Sequence, residues 1–595
     1  MDLELMRHRG PDARGSWQSR DGVCWLGHTR LSIVDLSEAG AQPMSSATGQ
    51  RHIVFNGEIY NHLELRSRLE GYPWRGASDT ETILAAYDRW GLGMLSRLKG
   101  MFAFAIYDCE TQSLVAARDR FGMKPLYFCR QGGELLIASE VRLLRSACPG
   151  PIDKEGVADY LRHGAAREER LLWSNLRCVP PGQWLRVERN GEQSQGTYWP
   201  SIPPRRLPAG DPAACVRQLL EYSVEDHLQA DVRVASFLSG GVDSSIITAL
   251  AARKMGGPLR TFSVAFRQGG LDESDIAAEV ARRYRTEHTR LELEEADVLG
   301  LVELAVSQLD LPSVDALNTF IIAHSVASNG IKVALSGLGS DELFGGYSIF
   351  RETRALRQIS RIPERLRSVL SWLGSKGRRL ADLPPNASAA AIARWRRRFV
   401  TDAELKGLGL PCAPSSPNAP MPLPGEDSFA DTSASELTGY MRDMLLRDSD
   451  QMSMAVSLEL RLPFLDHELV EFVLGLPARE KERRGRIKPL LIDACKDLIP
   501  RGVYERPKMG FGLPMREWMM GPLVGLVNQG LNASSELGLL PAAGRAEMTR
   551  AFRCGRLHWT RVWSWVVLGL YFVRQGGAQS ASAVEREAEL LRQVS

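Results

Sequence analysis

The stretch VRVASFLSGGVDSSIITALAARK at residues 232–254 decides the fold of the second half of this chain. Its apolar run, Val232–Leu238, predicts a buried strand, and Ser244–Lys254 predicts a helix. The same order repeats further along the chain in Thr261–Phe266, Asp275–Tyr284, Ile331–Leu335 and Asp341–Phe344. Strands that alternate with helices predict an α/β domain, a doubly wound parallel sheet covered by helices on both faces.

The loop Ser239-Gly240-Gly241-Val242-Asp243-Ser244-Ser245 joins the first strand to its helix. Its two glycines allow a tight turn, so backbone N–H groups can point at an anion from the helix N-terminus. A carboxylate at Asp243 would repel that anion unless Mg²⁺ lay between them. The Gly-Lys-Ser/Thr ending of the ordinary P-loop is missing. The loop instead resembles the pyrophosphate loop of ATP pyrophosphatases, which implies adenylation of a substrate and release of pyrophosphate.

A second Gly-rich loop, Ser336-Gly337-Leu338-Gly339-Ser340-Asp341-Glu342, follows the strand at 331–335. In a doubly wound sheet both loops emerge at the carboxyl ends of the strands, where ligands bind. We therefore expect Asp243 and Asp341 to share one Mg²⁺ through pyrophosphate, with Glu342 nearby. The residues expected to bind ATP are Leu238, Ser239, Gly240, Gly241, Asp243, Ser244, Ser245, Val264, Ser336 and Gly337.

The first two hundred residues have a different pattern, with short apolar or alternating segments bounded by Gly, Asp or Asn. They predict an α+β domain of antiparallel sheets at 1–199, with one helix from Asp79 to Tyr87 that Ser78 or Asp79 caps. The predicted strands are Val23–Leu26, Ile53–Phe55, Phe102–Tyr107, Leu114–Ala117 and Leu135–Ser139. Five prolines predict a linker at 200–212. A second domain is expected at 213–575, and its segments 431–475 and 545–573 are expected to be mainly helical. Within this domain, residues 375–430 are rich in Arg and then in Pro and Ser, which predicts an insertion. A flexible tail is expected at 576–595.

The composition excludes several classes of protein. The chain has 595 residues with 74 basic and 71 acidic side chains, and its net charge of +3 gives no reason to expect nucleic acid or a membrane as a partner. Its nine cysteines are scattered singly, which argues against a disulfide framework and a zinc site. No signal peptide opens the sequence, and the longest apolar stretch near its end is too short to span a bilayer. A reducing, cytoplasmic location is expected.

Several long motifs resemble glutamine-hydrolysing asparagine synthetases, in which a class II glutamine amidotransferase domain precedes a synthetase domain. In the first half they are Arg7–Asp12, Gly27–Asp35, Asn56–Tyr60, Ser78–Glu81, Gly100–Ala105 and Arg118–Tyr127. In the second half they are the two Gly-rich loops, Ser453–Asp466, Gly485–Leu490 and Arg506–Phe511. The resemblance implies that the first domain is a sandwich like that of N-terminal-nucleophile hydrolases.

The resemblance also implies a glutamine pocket. Arg30 would pair with the α-carboxylate of glutamine, and Asp79 and Glu58 would take its α-ammonium. Asn56 and the backbone N–H of Gly57 would form an oxyanion hole, and Leu31 and Val34 would line the pocket. The alternative for Asn56-Gly57 is a hairpin turn, because Asn-Gly is the commonest pair in such turns.

The sequence departs from this family at its start. Family members begin Met-Cys-Gly-Ile, and the processed N-terminal Cys attacks glutamine with its own α-amine as base. That nucleophile is absent here, and Cys24 cannot replace it, because it has no free amine and is expected to be a buried apolar residue in mid-strand. A start codon placed too late and an inert relic both stay open; the intact pocket residues favour the first.

On the synthetase side, Lys488 matches the catalytic lysine of the family, whose ammonium would offset charge that develops on phosphoryl and carbonyl oxygens. Leu338 departs from the family, which carries an acid there, tied to forming or aminolysing the aspartyl adenylate. The segment Asp310–Thr319 also differs from the Asp-Ser-Ser-type segment that helps bind aspartate. Aspartate is therefore the default acceptor, and another carboxylate from a polysaccharide or specialised-metabolite pathway is the alternative.

The expected activity is ATP- and Mg²⁺-dependent adenylation of a carboxylate and its aminolysis by ammonia, nominally from glutamine, giving asparagine, AMP and pyrophosphate. The expected catalytic residues are Asp243, Asp341, Glu342 and Lys488. Closure of an internal amide, as in β-lactam synthetases, and a non-catalytic relative stay open; the retained Asp243, Asp341 and Lys488 weigh against the latter. The expected partners are small-molecule substrates, and a homodimer stays open.

Overall fold

The structure is a computed structural model that describes residues 2–200, 210–266, 274–367, 369, 375–412, 427–483, 485–505 and 513–577. The expected linker, insertion and tail therefore lie partly outside the described residues, and the Arg506–Phe511 motif lies wholly outside them.

The first part of the chain contains antiparallel sheets, as predicted. Its strands are β1 Ala13–Gln18, β2 Trp25–Arg30, β3 Met44–Ser45, β4 Arg51–Ile59, β5 Gly100–Asp108, β6 Ser113–Arg118, β7 Tyr127–Gln131, β8 Glu134–Ala138, β9 Leu176–Cys178, β10 Gln183–Val187 and β11 Gln193–Thr197. They form a six-stranded sheet in the order β11-β10-β6-β5-β4-β3, a three-stranded sheet β8-β7-β9, and the pair β1-β2. Its α-helices are α1 His62–Ser67, α2 Asp79–Trp90, α3 Val141–Ala147 and α4 Lys154–His163. Ser78 caps α2 as expected, since its side chain accepts a hydrogen bond from the Thr80 N–H.

The second part contains a five-stranded parallel sheet, which confirms the predicted fold class. Its strands are β12 Val234–Phe237, β13 Arg260–Phe266, β14 Glu287–Leu293, β15 Val333–Leu335 and β16 Glu459–Arg461, in the order β14-β13-β12-β15-β16. β14 was not predicted, because this edge strand lacks the continuous apolar run that predicted the more buried strands β12, β13 and β15. Residues 431–475 are mainly helical, as predicted, but they include β16, a three-residue strand that was not predicted and whose two charged ends are buried and ion-paired.

The strand order places a topological switch point between β12 and β15. From β12 the chain proceeds to β13 and β14 on one side, and then returns to β15 and β16 on the other. The loops that leave these two central strands therefore lie at the carboxyl edge of the sheet, at the crevice where such sheets usually bind ligands. Both Gly-rich loops border this crevice.

Helices cover the sheet and extend the second part. They are α5 Pro212–His227, α6 Val242–Lys254, α7 Ser274–Tyr284, α8 Glu295–Gln308, α9 Ala316–Ala327, α10 Ser340–Phe344, α11 Ser348–Ser360, α12 Glu364–Arg367, α13 Ser375–Ala381, α14 Ala389–Arg396, α15 Asp402–Gly407, α16 Ser428–Glu436, α17 Arg447–Met454, α18 His467–Gly475, α19 Ala478–Lys481, α20 Pro489–Cys495, α21 Arg501–Tyr504, α22 Met515–Met520, α23 Val524–Glu536, α24 Ala542–Arg553 and α25 Trp559–Gly577. A π-helical segment, Leu437–Leu446, joins α16 to α17.

The apolar stretch near the end of the chain belongs to the core of the second part. It lies in α25, which crosses α23 where Gly530 and Gly569 meet; a Cβ on Gly569 would lie 2.0 Å from the Gly530 carbonyl oxygen. Trp563 and Trp565 are almost fully buried there. Among the described residues, no helix is both long and apolar enough to cross a membrane.

Candidate active site

The first Gly-rich loop turns tightly from β12 into α6. Gly240 has a φ of +80°, a backbone conformation that side chains with a Cβ rarely adopt, and Gly241 is the N-cap of the helix. The Ser244 hydroxyl lies 3.0 Å from the Ser239 hydroxyl and accepts a hydrogen bond from the Ser239 N–H. The loop therefore presents hydroxyl groups at a helix N-terminus, a suitable position for an anion.

The second loop touches the first. A Cβ on Gly337 would lie 2.8 Å from the Cβ of Asp243, so only glycine allows the two loops to approach this closely. Of the other residues expected to bind ATP, Leu238 hydrogen-bonds to the Phe262 carbonyl, Ser245 is buried, Val264 lies in β13, and Ser336 follows β15. The expected nucleotide residues thus surround the crevice at the switch point.

Lys488 joins both loops. Its Nζ lies 2.6 and 2.7 Å from the two carboxylate oxygens of Asp243 and 2.5 Å from Asp341. Burial alone would lower the pKa of Lys488, but Asp243 and Asp341 raise it above its ordinary value, so the side chain is a cation. Its backbone is left-handed, with a φ of +49°, directly before α20. The structure therefore brings together three of the four expected catalytic residues.

Two residues that the sequence analysis did not single out complete this arrangement. The Ser340 hydroxyl lies 2.6 Å from the Lys488 Nζ. A Cβ on Gly346 would lie 1.7 Å from a carboxylate oxygen of Asp341 and 2.6 Å from the Cε of Lys488. Ser340 belongs to the second Gly-rich loop, and Gly346 lies in the Gly-Gly pair that follows α10. These glycines were the available signal, but only three-dimensional packing shows their relation to Lys488.

Glu342 has a different environment from Asp341. Its carboxylate is buried and accepts a 2.7 Å hydrogen bond from the Tyr347 hydroxyl. Burial, followed by the nearby charge of Asp341, raises the pKa of Glu342 to about 7. No described contact joins its side chain to Lys488, so it lies beside the cluster of Lys488, Asp243 and Asp341 and not in it.

The residues present fit a Mg²⁺ ion bound through pyrophosphate. Both Asp243 and Asp341 contact a single cationic group, so their carboxylates already converge on one point. Among the described residues, no group of three or more His, Cys, Asp or Glu side chains could hold a metal ion. Two carboxylates leave most of the octahedral positions of Mg²⁺ to phosphate oxygens and water, which is the usual arrangement at nucleotide sites.

A cavity of about 680 Å³ in the first part contains all seven residues expected to bind glutamine. Asn56 and Gly57 lie within β4, paired with β5, so the hairpin-turn alternative is wrong. Gly57 has a φ of +146°, and a Cβ there would lie 2.0 Å from the Met101 carbonyl oxygen. The buried Asn56 Nδ2 has no hydrogen-bond partner within the described part of the chain. This unpaired donor suits an oxygen atom of a ligand.

Two carboxyl groups face each other in the same cavity. Burial raises the pKa of Glu58, and the adjacent Asp79 raises it further. Burial also raises the pKa of Asp79 to about 6. One oxygen of Glu58, Oε1, is buried without a hydrogen-bond partner among the described residues. A ligand ammonium would supply the missing donor and the missing positive charge.

Arg30 and Cys24 also line this cavity, each in a way that the sequence did not show. The Arg30 guanidinium donates to the backbone carbonyls of Ser37, at 2.9 Å, and Asp35, so it would have to share its donors with a ligand carboxylate. The expectation that Cys24 lies buried in mid-strand was wrong, because β2 begins at Trp25 and Cys24 is only half-buried in the turn before it. Burial nevertheless raises the pKa of its thiol to about 12, which leaves almost no thiolate.

The residues that depart from the family pattern have three different environments. Leu338 is half-buried and packs against the apolar core below the sheet. The Asp310 carboxylate accepts hydrogen bonds from the backbone N–H groups of Val141 and Arg142, so it joins this segment to the first part of the chain. The Asp315 carboxylate instead accepts a hydrogen bond from the Tyr440 hydroxyl.

Comparisons with known proteins agree with this arrangement. Residues 2–199 match the family described as a glutamine amidotransferase domain, and residues 215–573 match the family described as asparagine synthase. The chain is 34% identical over 540 residues to asparagine synthetase [glutamine-hydrolyzing] 1 of Bacillus subtilis, covering 87% of this chain and 84% of that protein. It is 33% identical over 603 residues to a putative asparagine synthetase of Mycobacterium tuberculosis, covering 95% of this chain and 92% of that protein.

A relative with a different name also matches. The amidase chry2 of Gibberella zeae is 30% identical over 577 residues, covering 88% of this chain and 85% of that protein. Relatives named asparagine synthetase and a relative named amidase therefore both align with most of the chain. With both halves matched and their two sites described, the chain belongs to the asparagine synthase family, as an asparagine-synthetase-type enzyme with an amidotransferase domain before its synthase domain.

Proposed function

We propose that the second domain adenylates a carboxylate with ATP and Mg²⁺ and then aminolyses the acyl adenylate with ammonia. The observation that carries this proposal is the convergence of Asp243, Asp341 and Lys488 at the switch point of the parallel sheet. Asp243 and Asp341 would hold Mg²⁺, which neutralises the pyrophosphate as it leaves. Lys488 would offset the charge that develops on the oxygens of the reacting phosphoryl and acyl groups.

Glutamine is the nominal source of the ammonia, and the first domain would bind it. The unpaired donor of Asn56 and the unpaired acceptor of Glu58 lie in one cavity, as a ligand with both an acyl oxygen and an ammonium group requires. Arg30 would bind the carboxylate of that ligand. These groups suit an amino acid with a side-chain amide, and the similarity of residues 2–199 to a glutamine amidotransferase domain favours glutamine.

Aspartate is the default acceptor, and amidation of a different carboxylate is the second candidate. Leu338 favours the second candidate, because an apolar side chain beside the second loop can neither accept a proton nor bind an ammonium. A less polar acceptor, or one whose polar groups lie elsewhere, would suit that surface better.

A pyrophosphate-release assay with a panel of carboxylates tests the proposal. We expect release to require ATP, Mg²⁺ and one particular carboxylate, and amide product to form only when ammonium is added. The absence of release with every acceptor would favour a non-catalytic relative. A ring product formed without added ammonium would identify an internal amide synthetase instead.

A further inference from the structure

A fully buried arginine of the second domain contacts the glutamine cavity of the first. Arg461, at the end of β16, donates from Nη2 to Glu58 Oε2 at 2.8 Å and from Nε to Glu459 Oε1 at 2.9 Å. Its Nη1 donates to the backbone carbonyls of His227 and Gln229, at 3.0 and 2.6 Å. These four bonds fix the guanidinium, so the orientation of Glu58 depends on a residue about four hundred positions away in the chain.

The bond to Arg461 uses only one oxygen of Glu58. The other oxygen, Oε1, has no hydrogen-bond partner among the residues that the structure describes. Glu58 and Asp79 both line the cavity, and one oxygen of Asp79 already accepts the Ile59 N–H at 2.9 Å. The acceptors left for a ligand therefore belong to two carboxyl groups that repel each other, and one of the two is held by Arg461.

We propose that Arg461 is a positioning residue for the ammonium group of the amino acid that binds in this cavity. Its bond to Oε2 orients Glu58, so that Oε1 and Asp79 face the ligand. This inference rests on the proposed glutamine site, and it goes further, because it makes the affinity of one domain's pocket depend on a residue of the other domain.

The charges around Glu58 determine how this arrangement responds to pH. The groups that face it are Asp79 on α2, Tyr60 after β4, and Glu459 and Arg461 on β16, while Lys124 lies 3.7 Å from Glu459. Burial raises the pKa of Glu58. The charges of Asp79 and Glu459 raise it further, and the charge of Arg461 lowers it. Without Arg461, Glu58 would keep its proton to a higher pH and would offer no negative charge to an ammonium. Without the charge of Glu459, Glu58 would lose its proton at a lower pH.

Calorimetric titration of the full chain with L-glutamine between about pH 5 and 9 tests the proposal on four proteins: unaltered, Arg461→Gln, Arg461→Lys and Glu459→Gln. We expect Arg461→Gln to weaken glutamine binding at neutral pH by about tenfold or more and to move the midpoint of the binding profile to higher pH. Arg461→Lys should restore most of the affinity, and Glu459→Gln should move the midpoint to lower pH. A merely structural role would weaken binding equally at every pH.

The opposite shifts keep the test decisive. If circular dichroism shows that Arg461→Gln does not fold, Glu459→Gln alone is sufficient for the test. That variant removes a charge, but its amide has the shape of the carboxylate and can still accept a hydrogen bond. Unmoved midpoints in the folded variants would overturn the proposal, and so would the absence of glutamine binding to the unaltered protein at any pH. Failure of the proposed synthetase function is separately visible, since ammonium-driven pyrophosphate release needs no glutamine.

Discussion

Lys488 and Asp243 are 245 positions apart in the chain, yet the Lys488 Nζ lies 2.6 and 2.7 Å from the two oxygens of the Asp243 carboxylate. The contact lies at the switch point between β12 and β15, where the buried ammonium of Lys488 also contacts Asp341. A positive charge fixed between two Gly-rich loops suits the stabilisation of negative charge that develops during nucleotidyl transfer.

Substitution of Asp243 should abolish pyrophosphate release and leave the fold intact. Asp243→Asn removes a metal-facing charge from a half-exposed loop without removing core volume, and Lys488 keeps Asp341 and Ser340 as partners. We expect release to fall by about a hundredfold or more, with an unchanged melting temperature. Asp297→Asn, at an exposed position of α8, is the matched control and should behave as the unaltered protein does. Near-normal turnover in Asp243→Asn would rule out the Mg²⁺ assignment.

Gly346 should be needed for activity because a larger side chain would not fit beside Asp341 and Lys488, and not because the backbone must be flexible there. In Gly346→Ala the new Cβ would clash with Asp341 and with the stem of Lys488, so the two side chains could not meet. We expect pyrophosphate release to fall by about tenfold or more, while the protein stays folded. Gly300→Ala places a methyl group in open space within α8, and it should leave activity unchanged and stability unchanged or slightly higher. Full activity of Gly346→Ala would show that the Asp341–Lys488 contact is dispensable.

The acceptor preference should depend on Leu338. If the leucine marks a changed substrate, aspartate should turn over poorly even at saturating ammonium, and Leu338→Glu should raise kcat/KM for aspartate because an acid can accept a proton or bind an ammonium. Leu338→Gln has nearly the same size without the charge and should give little improvement. Efficient asparagine formation by the unaltered protein would show that the acid is not needed.

The nitrogen source should be ammonium for the polypeptide 1–595. Cys24 lines the glutamine cavity, but burial raises the pKa of its thiol to about 12, and it has no α-amine to act as base. We therefore expect ammonium-dependent amide formation, negligible release of glutamate from glutamine, and no covalent trapping by a glutamine-analogue electrophile. Cys24→Ser should change none of these. Glutamate release that matches amide formation and disappears in Cys24→Ser would identify Cys24 as a nucleophile.

The sequence was sufficient for the parts of this protein that local patterns determine. The alternation around residues 232–254 predicted the parallel sheet, and the Gly-rich loops predicted that Asp243 and Asp341 come together at its carboxyl edge. It was not sufficient where a role depends on packing between distant segments. The three residues of β16 resemble a polar break between helices, because Glu459 and Arg461 pair with each other and their further ionic partners, Lys124 and Glu58, lie in the first part of the chain. Likewise, nothing local indicates that Gly346 must leave room for Lys488.

The central claim is that a carboxylate attacks ATP at the α-phosphorus, and an oxygen-transfer experiment tests it most directly. The acceptor found in the pyrophosphate-release assay is labelled with a heavy oxygen isotope in its carboxyl group. The products are then separated, and their masses are measured by mass spectrometry. Adenylation followed by aminolysis predicts one labelled oxygen in AMP and none in pyrophosphate, because the oxygen bridging acyl group and phosphorus leaves with AMP. Label in inorganic phosphate together with ADP, or unlabelled AMP alongside amide product, would contradict the account.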